Sequence, residues 1–441
     1  MSPDALITHF VGASALILVA AHAAGWVARR LRQPYIVGQL TAGIALGPSL
    51  LGSTAPGAYE TLFPDEIGTA LTGFAQFSLV VFLFAVGYEL DLKLLGDRAR
   101  TAVTVAVASF VVPMAAGSGC ALLFRDQLTA LGMPRDPSPS MVVFAGVALS
   151  ITAVPVLTAI VRENGLAPTV PGVVAVSAAG LLDVVCWTVL AGALMEDGAG
   201  HTIGWPWRMA LAVCFVALMA VGARPLLRRL LWRTHMDSSL RLALLIGFAL
   251  ASAWVTHSVG LHVIFGALLA GVVVPRERGG TLDPDLLRPL HDVSSLLLPF
   301  FFVTSGQSVA LNSMDATGWT ALLVVTVLAV ATKVGSGALA SRLGGLDRYE
   351  ARTVGVLLSA RGLTELIALN AGYEAGLLSA PLYTVLVSMA LATTLLTQPL
   401  LLLTRPPSAR GRRESVERDA GPPSPPPGHD DTRPAPVADL G

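Results

Sequence analysis

Charge is scarce in this chain: Asp, Glu, Lys and Arg make up 13% of its 441 residues, against 54% hydrophobic. A water-soluble fold of this size needs far more polar surface, so the apolar excess, with a mean hydropathy of +0.68, marks a polytopic membrane protein. Cysteine is nearly absent. Cys120, Cys186 and Cys214 all lie in apolar segments and form neither a disulfide framework nor a metal spacing, so they read as packing residues. No serine-lysine, paired-aspartate or histidine-zinc pattern of an intramembrane hydrolase occurs at a usable spacing, which argues against an enzyme. No cofactor and no nucleic-acid partner is expected. The N-terminus has no basic region followed by a small-residue cleavage site, so the first apolar segment is expected to stay in the protein.

What is present is a series of apolar runs of membrane length. They predict an all-α membrane protein of thirteen transmembrane helices over 5–28, 35–52, 68–88, 101–124, 140–161, 171–195, 208–231, 241–258, 260–275, 293–310, 318–342, 351–373 and 380–404. Basic residues fall in alternate loops, as the positive-inside rule requires. One side holds Arg29, Arg30 and Arg32, then Lys93, Arg98 and Arg100, then Arg162, the Arg224–Arg241 group, Arg276, Arg278, Arg288, Arg342, Arg348, Arg352 and the tail arginines. The other side holds Arg125, Arg135 and Arg208, which places the N-terminus outside and the C-terminus in the cytoplasm of a multi-pass cell-membrane protein. From 406 to 441 the proline-rich composition predicts a disordered cytoplasmic tail.

The two halves echo one another. Ile36-Val37-Gly38-Gln39-Leu40-Thr41-Ala42-Gly43 matches Ile264-Phe265-Gly266-Ala267-Leu268-Leu269-Ala270-Gly271 at five of eight positions, and Phe82-Leu83-Phe84 before Gly87 answers Phe300-Phe301-Phe302 before Gly306. Seven helices separate the copies, so the second crosses in the opposite sense: two inverted-topology repeats, a plan common among secondary transporters. On this plan the fifth helix pairs with the twelfth, and both carry interruptions. Pro155 cannot donate its amide, with Ser150 and Thr152 close by to rebond freed backbone groups, and Ser359-Ala360-Arg361-Gly362 sets a charge beside a glycine. Broken helices at matching positions point to a substrate site near the bilayer midplane.

Asp183 stands in the apolar stretch from Gly172 to Met195, where inserting a carboxylate costs roughly 2.5 to 3.5 kcal/mol. Such a group can hold a proton or a dehydrated alkali cation, and competition for one site is the simplest exchange of the two. Hard cations need oxygen ligands, so Thr152, Ser150 and carbonyls freed around Pro155 are candidate companions to Asp183 for Na+ or K+. Lys333, Arg361 and Glu365 are supporting candidates, Arg361 and Glu365 being four apart on one helical face. Each has a structural alternative: an ion pair of Asp183 with Lys333, a plain proline kink, or an Arg361–Glu365 bridge that only holds the helices together. Gln76 and Glu89 are candidates for an entrance, and His257 and His262 read as interfacial.

At these residues the chain resembles the monovalent cation:proton antiporter family (CPA2 type, with a sodium/hydrogen exchanger domain), near its plant-type exchangers and their bacterial relatives. The motifs are Gln33-Pro34 with Gly47-Pro48-Ser49-Leu50-Leu51-Gly52; Leu83-Phe84-Ala85-Val86-Gly87-Tyr88-Glu89-Leu90-Asp91; Ala148 to Leu157; Asp183-Val184 with Trp187; Phe265-Gly266-Ala267 with Gly271 and Pro275; and Arg361-Gly362-Leu363 with Glu365-Leu366-Ile367. The resemblance implies a homodimer working as an elevator within a transmembrane domain at 5–404. A core (101–195 and 318–404) would slide against a panel (5–88 and 241–310), joined by a linker helix (208–231). It departs at Leu182, where the family carries Asp or Asn before the acid, so one proton per cation is expected here. Two other readings stay open: a sodium-coupled organic anion transporter of related fold, and a non-transporting membrane sensor. Neither Na+ against K+ nor direction, regulation or physiological role is legible in the residues.

Overall fold

A computed structural model describes residues 2–31, 33–89, 98–196, 205–233, 237–258, 263–275 and 283–404. The tail from 406, His262, Leu90 and Asp91, and the loop bases Arg32, Lys93, Arg276 and Arg278 lie outside the described residues. The first half runs α1 (Pro3–Arg30), α2 (Tyr35–Leu46), α3 (Pro56–Leu62), α4 (Asp65–Glu89), α5 (Ala99–Leu123), α6 (Arg125–Leu128), α7 (Pro139–Ser150), α8 (Val154–Glu163) and α9 (Val170–Glu196). Then come α10 (Trp205–Leu218) and α11 (Arg224–Arg233), joined by a π-helical turn at Met219–Ala223. The second half is α12 (Ser238–Ser258), α13 (Val263–Val273), α14 (Pro284–Gln307), α15 (Ala316–Leu343), α16 (Arg348–Leu358), α17 (Leu363–Glu374) and α18 (Ala380–Leu403).

Helices dominate because a backbone in hydrocarbon has no water to bond and must satisfy its own amides and carbonyls. Loop residues terminate them with side-chain caps: Ser138 accepts from the Met141 amide, Asp315 from Gly318 and Ser379 from Leu382. Asp347 and Glu350 form a reciprocal capping box at the start of α16. Nine helices among the described residues are long and apolar enough to cross a membrane. The stretches expected as the other four crossings do not form single helices of that length. The fifth and twelfth are each two short helices, the ninth is the eleven-residue α13, and the seventh is α10 and α11 around their π-turn.

The inverted repeat is visible in the packing. Gly38 of α2 lies so close to α1 that a Cβ would come within 2.2 Å of the Ala24 carbonyl oxygen, and Gly266 of α13 stands in the same relation to Ser252 of α12, also at 2.2 Å. Gly43 abuts Phe302 and Val303 of α14 as Gly271 abuts Phe84 of α4. Likewise Gly146 of α7 lies against Met114 of α5, and Gly355 of α16 against Val334 of α15. Only glycine permits these approaches, so the echo read in the sequence is an echo of contact surfaces.

Two packing groups result. In one, α4 packs on α12, α13 and α14, with α1 and α2 against α14; in the other, α5 packs on α7, α9 and α15, and α16 on α9, α15 and α18. The faces of α5 and α15 that carry Val103, Val107, Val111, Leu323 and Val327 are exposed and apolar, as lipid contact demands.

Candidate ion-binding site

The fifth crossing breaks over Ile151-Thr152-Ala153 and the twelfth over Ser359 to Gly362, and the breaks lie against each other. Across them the Ala153 amide donates to the Ala360 carbonyl (3.2 Å), and the Thr152 hydroxyl donates to the Leu358 carbonyl (3.0 Å). The break precedes Pro155 rather than centring on it: Pro155 falls in the first turn of α8, where a missing amide proton costs nothing. At Gly362 a Cβ would come within 2.5 Å of Val156 Cγ2, so glycine is what lets α17 start this close to α8.

A helix ending in hydrocarbon leaves its last carbonyls without partners, and at the end of α7 each one is accounted for. The Ile151 amide bonds Val147 O at 3.0 Å. Arg361 reaches across from the other repeat and donates to Ala148 O and Leu149 O, both at 2.7 Å. Lys333 donates to Ser150 O. Two cations at the negative end of a half-helix are also favourable to its dipole.

Lys333 is saturated by this arrangement. Besides Ser150 O, its ammonium donates to Ser109 O (3.0 Å) and to the Thr152 hydroxyl (2.8 Å), which uses all three of its protons. The Ser150 hydroxyl lies within reach of Phe110 O (3.0 Å) and Gly146 O (2.9 Å). Arg361 is balanced by Glu365, one turn along α17, at 2.5 Å, and its own carbonyl accepts from Thr394 of α18 at 2.8 Å. The second Glu365 oxygen is buried with no hydrogen-bond partner among the described residues, and the residue stands in the first turn of α17, where the helix dipole favours negative charge.

Asp183 sits beside this cluster, 3% exposed, in the middle of the long helix α9. Among the described residues its carboxylate makes no ion pair within 4.0 Å. The alternative of a structural pair with Lys333 is therefore not what the structure has: the lysine is spent on Ser109 O, Ser150 O and the Thr152 hydroxyl. One turn further on the same face, Trp187 meets Phe265 of α13 edge-on at 6.3 Å, so this face of α9 looks onto the junction between the two packing groups. A narrow cleft runs from Ile36, Val37 and Leu40 of α2 to Val156, Arg361 and Gly362 at the crossover.

Leu182, where an Asp or Asn was expected by resemblance, is buried in an apolar cluster with Ala153, Val156, Leu358 and Ala360. Ser150, Thr152, Lys333, Arg361 and Glu365 are thus joined in one hydrogen-bonded frame, and Asp183 beside it makes no bond to it among the described residues. Two members went unread in the sequence: the Ser109 carbonyl did leave a signal, since Pro113 four residues on has no amide proton to bond it, whereas Thr394 is a threonine in an apolar helix, where such residues usually bond their own preceding turn. The other candidates lie elsewhere. Glu89 pairs with His291 of α14 at 2.5 Å, Gln76 bonds Glu374 of α17 at 2.9 Å, and among the described residues no group of three His, Cys, Asp or Glu side chains is placed to hold a metal ion.

Comparison with known proteins covers nearly the whole transmembrane region. A family profile described as "Sodium/hydrogen exchanger, transmembrane" matches residues 17–403. The chain is 33% identical over 403 residues to Cation/H(+) antiporter 19 of Arabidopsis thaliana, covering 90% of this chain but 49% of that protein, so it spans about half the length of such plant relatives. It is 31% identical to the Na(+)/H(+) antiporter NhaS4 of Synechocystis sp. over 401 residues, 89% of this chain and 96% of that one. Among solved structures, the sodium proton antiporter MjNhaP1 of Methanocaldococcus jannaschii superposes with a TM-score of 0.67 at 16% identity, over 90% of this chain and 98% of that one, which establishes the shared fold.

Proposed function

Because the chain belongs to the transmembrane sodium/hydrogen exchanger family, we propose that it is a secondary antiporter exchanging Na+ or K+ for protons, with Asp183 as the site the two ions share. The observation that carries this reading is the saturation of Lys333 by Ser109 O, Ser150 O and Thr152 Oγ1. A buried carboxylate costs several kcal/mol unless something neutralises it, and here the nearest base is already committed. A proton or an alkali cation fills that role.

Competition follows directly. When Asp183 holds either ion the site is neutral and can cross the barrier; when it holds neither, a bare charge would have to move through low dielectric, which is forbiddingly costly. Exchange is then obligatory without any further coupling device. In this conformation the Thr152 and Ser150 hydroxyls serve the frame, so Asp183 is the ligand that accepts an ion first and the two hydroxyl oxygens join it on rearrangement. Arg361, Glu365 and Lys333 hold the broken helices against each other, and Pro155 starts the second half of the fifth crossing without an unpaired amide.

The two packing groups supply the moving parts of an elevator: a core of residues 101–195 and 318–404 carries Asp183 past a panel of 5–88 and 241–310, with 208–231 as the link. Asp183 on the face of α9 that meets α13 fits this, since an ion there is exposed to whichever side the junction opens. The protein works as a homodimer, with its N-terminus outside and its C-terminus in the cytoplasm. The test is a series of alkali cations added to proteoliposomes holding an imposed pH gradient. Na+ or K+ should collapse the gradient with wild-type protein, and Asp183→Asn should leave it standing. Full activity in the Asp183→Asn variant would refute the reading.

A further inference from the structure

We propose that the cytoplasmic end of the linker helix is a docking surface for the headgroups of anionic glycerophospholipids, held by Arg224, Arg228 and Arg229. The proposal takes the orientation of the chain from the reading above. The rod formed by α10, the π-turn and α11, of 14, 5 and 10 residues, is about 43 Å long at 1.5 Å per residue, well over the ~30 Å of bilayer hydrocarbon. Trp207, 72% exposed near its outer end, is suited to the aromatic belt at one interface. Hydrocarbon then ends about 20 residues later, close to Arg228, and the last turns of α11 emerge among headgroups.

The faces of α11 divide accordingly. Leu227 is buried and Leu231 is half-buried, which anchors the helix. Arg224, Arg228 and Arg229 are exposed, and none of the three makes a hydrogen bond or an ion pair among the described residues. Three of the other bases on the same side find protein partners: Arg241 is paired with Asp283, Arg29 stacks on Tyr35 at 4.4 Å and Arg30 on Trp26 at 4.2 Å. Leu226 and Leu230, 65% and 39% exposed beside the arginines, give acyl chains an apolar wall under the charged layer. Guanidinium forks bind phosphate oxygens in bidentate fashion, and a basic cluster at the cytoplasmic end of a span attracts anionic lipid. The chain's own residues 405–441 are a poorer match, because acidic and basic side chains occur there in equal number.

The experiment is native mass spectrometry of the full chain in detergent, titrated with phosphatidylglycerol or with phosphatidylcholine. Wild type should retain phosphatidylglycerol in preference, with retention falling as salt rises. The R224Q/R228Q/R229Q variant should lose on the order of a hundredfold in apparent affinity, while R224K/R228K/R229K keeps most of it and both match wild type in lipid-free melting temperature. Asp183→Asn should bind phosphatidylglycerol as wild type does, which separates this proposal from the transport reading. Equal retention of the two lipids, retention unchanged in the glutamine variant or indifferent to salt would overturn it. So would faster proteolysis of residues 405–441 in the glutamine variant with retention unchanged, which assigns the face to the tail.

Discussion

The amide of Ala153 and the carbonyl of Ala360, 3.2 Å apart, join the two interrupted helices backbone to backbone. Around that bond the last three carbonyls of α7 are satisfied by residues far away in sequence: Ala148 O and Leu149 O by Arg361, and Ser150 O by Lys333. The frame that holds the candidate ion site is therefore made by the pairing of the repeats and by neither repeat alone.

Removing one half of the buried Arg361–Glu365 pair should be worse than removing both. Arg361→Met strands the Glu365 carboxylate and two α7 carbonyls, and Glu365→Leu strands the guanidinium; breaking a buried pair from one side costs about 3 to 5 kcal/mol. The double variant should recover part of the sum. Unfolding of the three variants in detergent measures this, and strictly additive losses would count against the pair as a structural unit.

Lys333→Met should destabilise the protein by roughly 2 to 4 kcal/mol, because it leaves Ser150 O, Ser109 O and Thr152 Oγ1 without their donor in a buried setting. Melting temperature in detergent reads the loss. A variant as stable as wild type would mean that the lysine is not the cap the hydrogen bonds describe.

Matched glycines should respond alike. Ala at Gly38 or Gly266 places a Cβ 2.2 Å from a facing backbone oxygen, so each change must prise a helix pair apart, at about 1 to 3 kcal/mol. Gly73→Ala, with nothing within 4 Å, should be neutral or slightly stabilising in its helix. Expression and melting temperature of the three variants check the symmetry.

The proposal that Asp183 is the one shared acid makes two kinetic demands. The cation concentration for half-maximal exchange should rise as pH falls, because protons displace the cation from the same carboxylate. One proton per cation also moves no net charge, so exchange should be indifferent to a valinomycin-clamped voltage. Voltage-dependent rates would require a second titrating group, which the burial of Leu182 among apolar side chains does not provide.

The helices and the repeat were legible in the residues because both leave one-dimensional traces. Apolar runs must match the bilayer, arginines sort by side, and glycines recur where helices touch, as Gly38 and Gly266 do. Interruptions near Thr152 and Arg361 could be placed too, from the proline and the charge beside glycine. Partners could not. An ion pair of Asp183 with Lys333 was the structural alternative the sequence left open, since opposite buried charges attract. The tertiary structure has no such pair among the described residues, because the Ser109 carbonyl of α5, the Ser150 carbonyl at the end of α7 and the Thr152 hydroxyl take the three ammonium protons first. Sequence alone determined that a membrane-depth carboxylate, two broken helices and an inverted repeat coexist in this chain. Only the fold determined that the bases are consumed in holding the breaks together, because hydrogen-bond geometry between segments some 180 to 210 residues apart exists only once the two repeats have closed on each other.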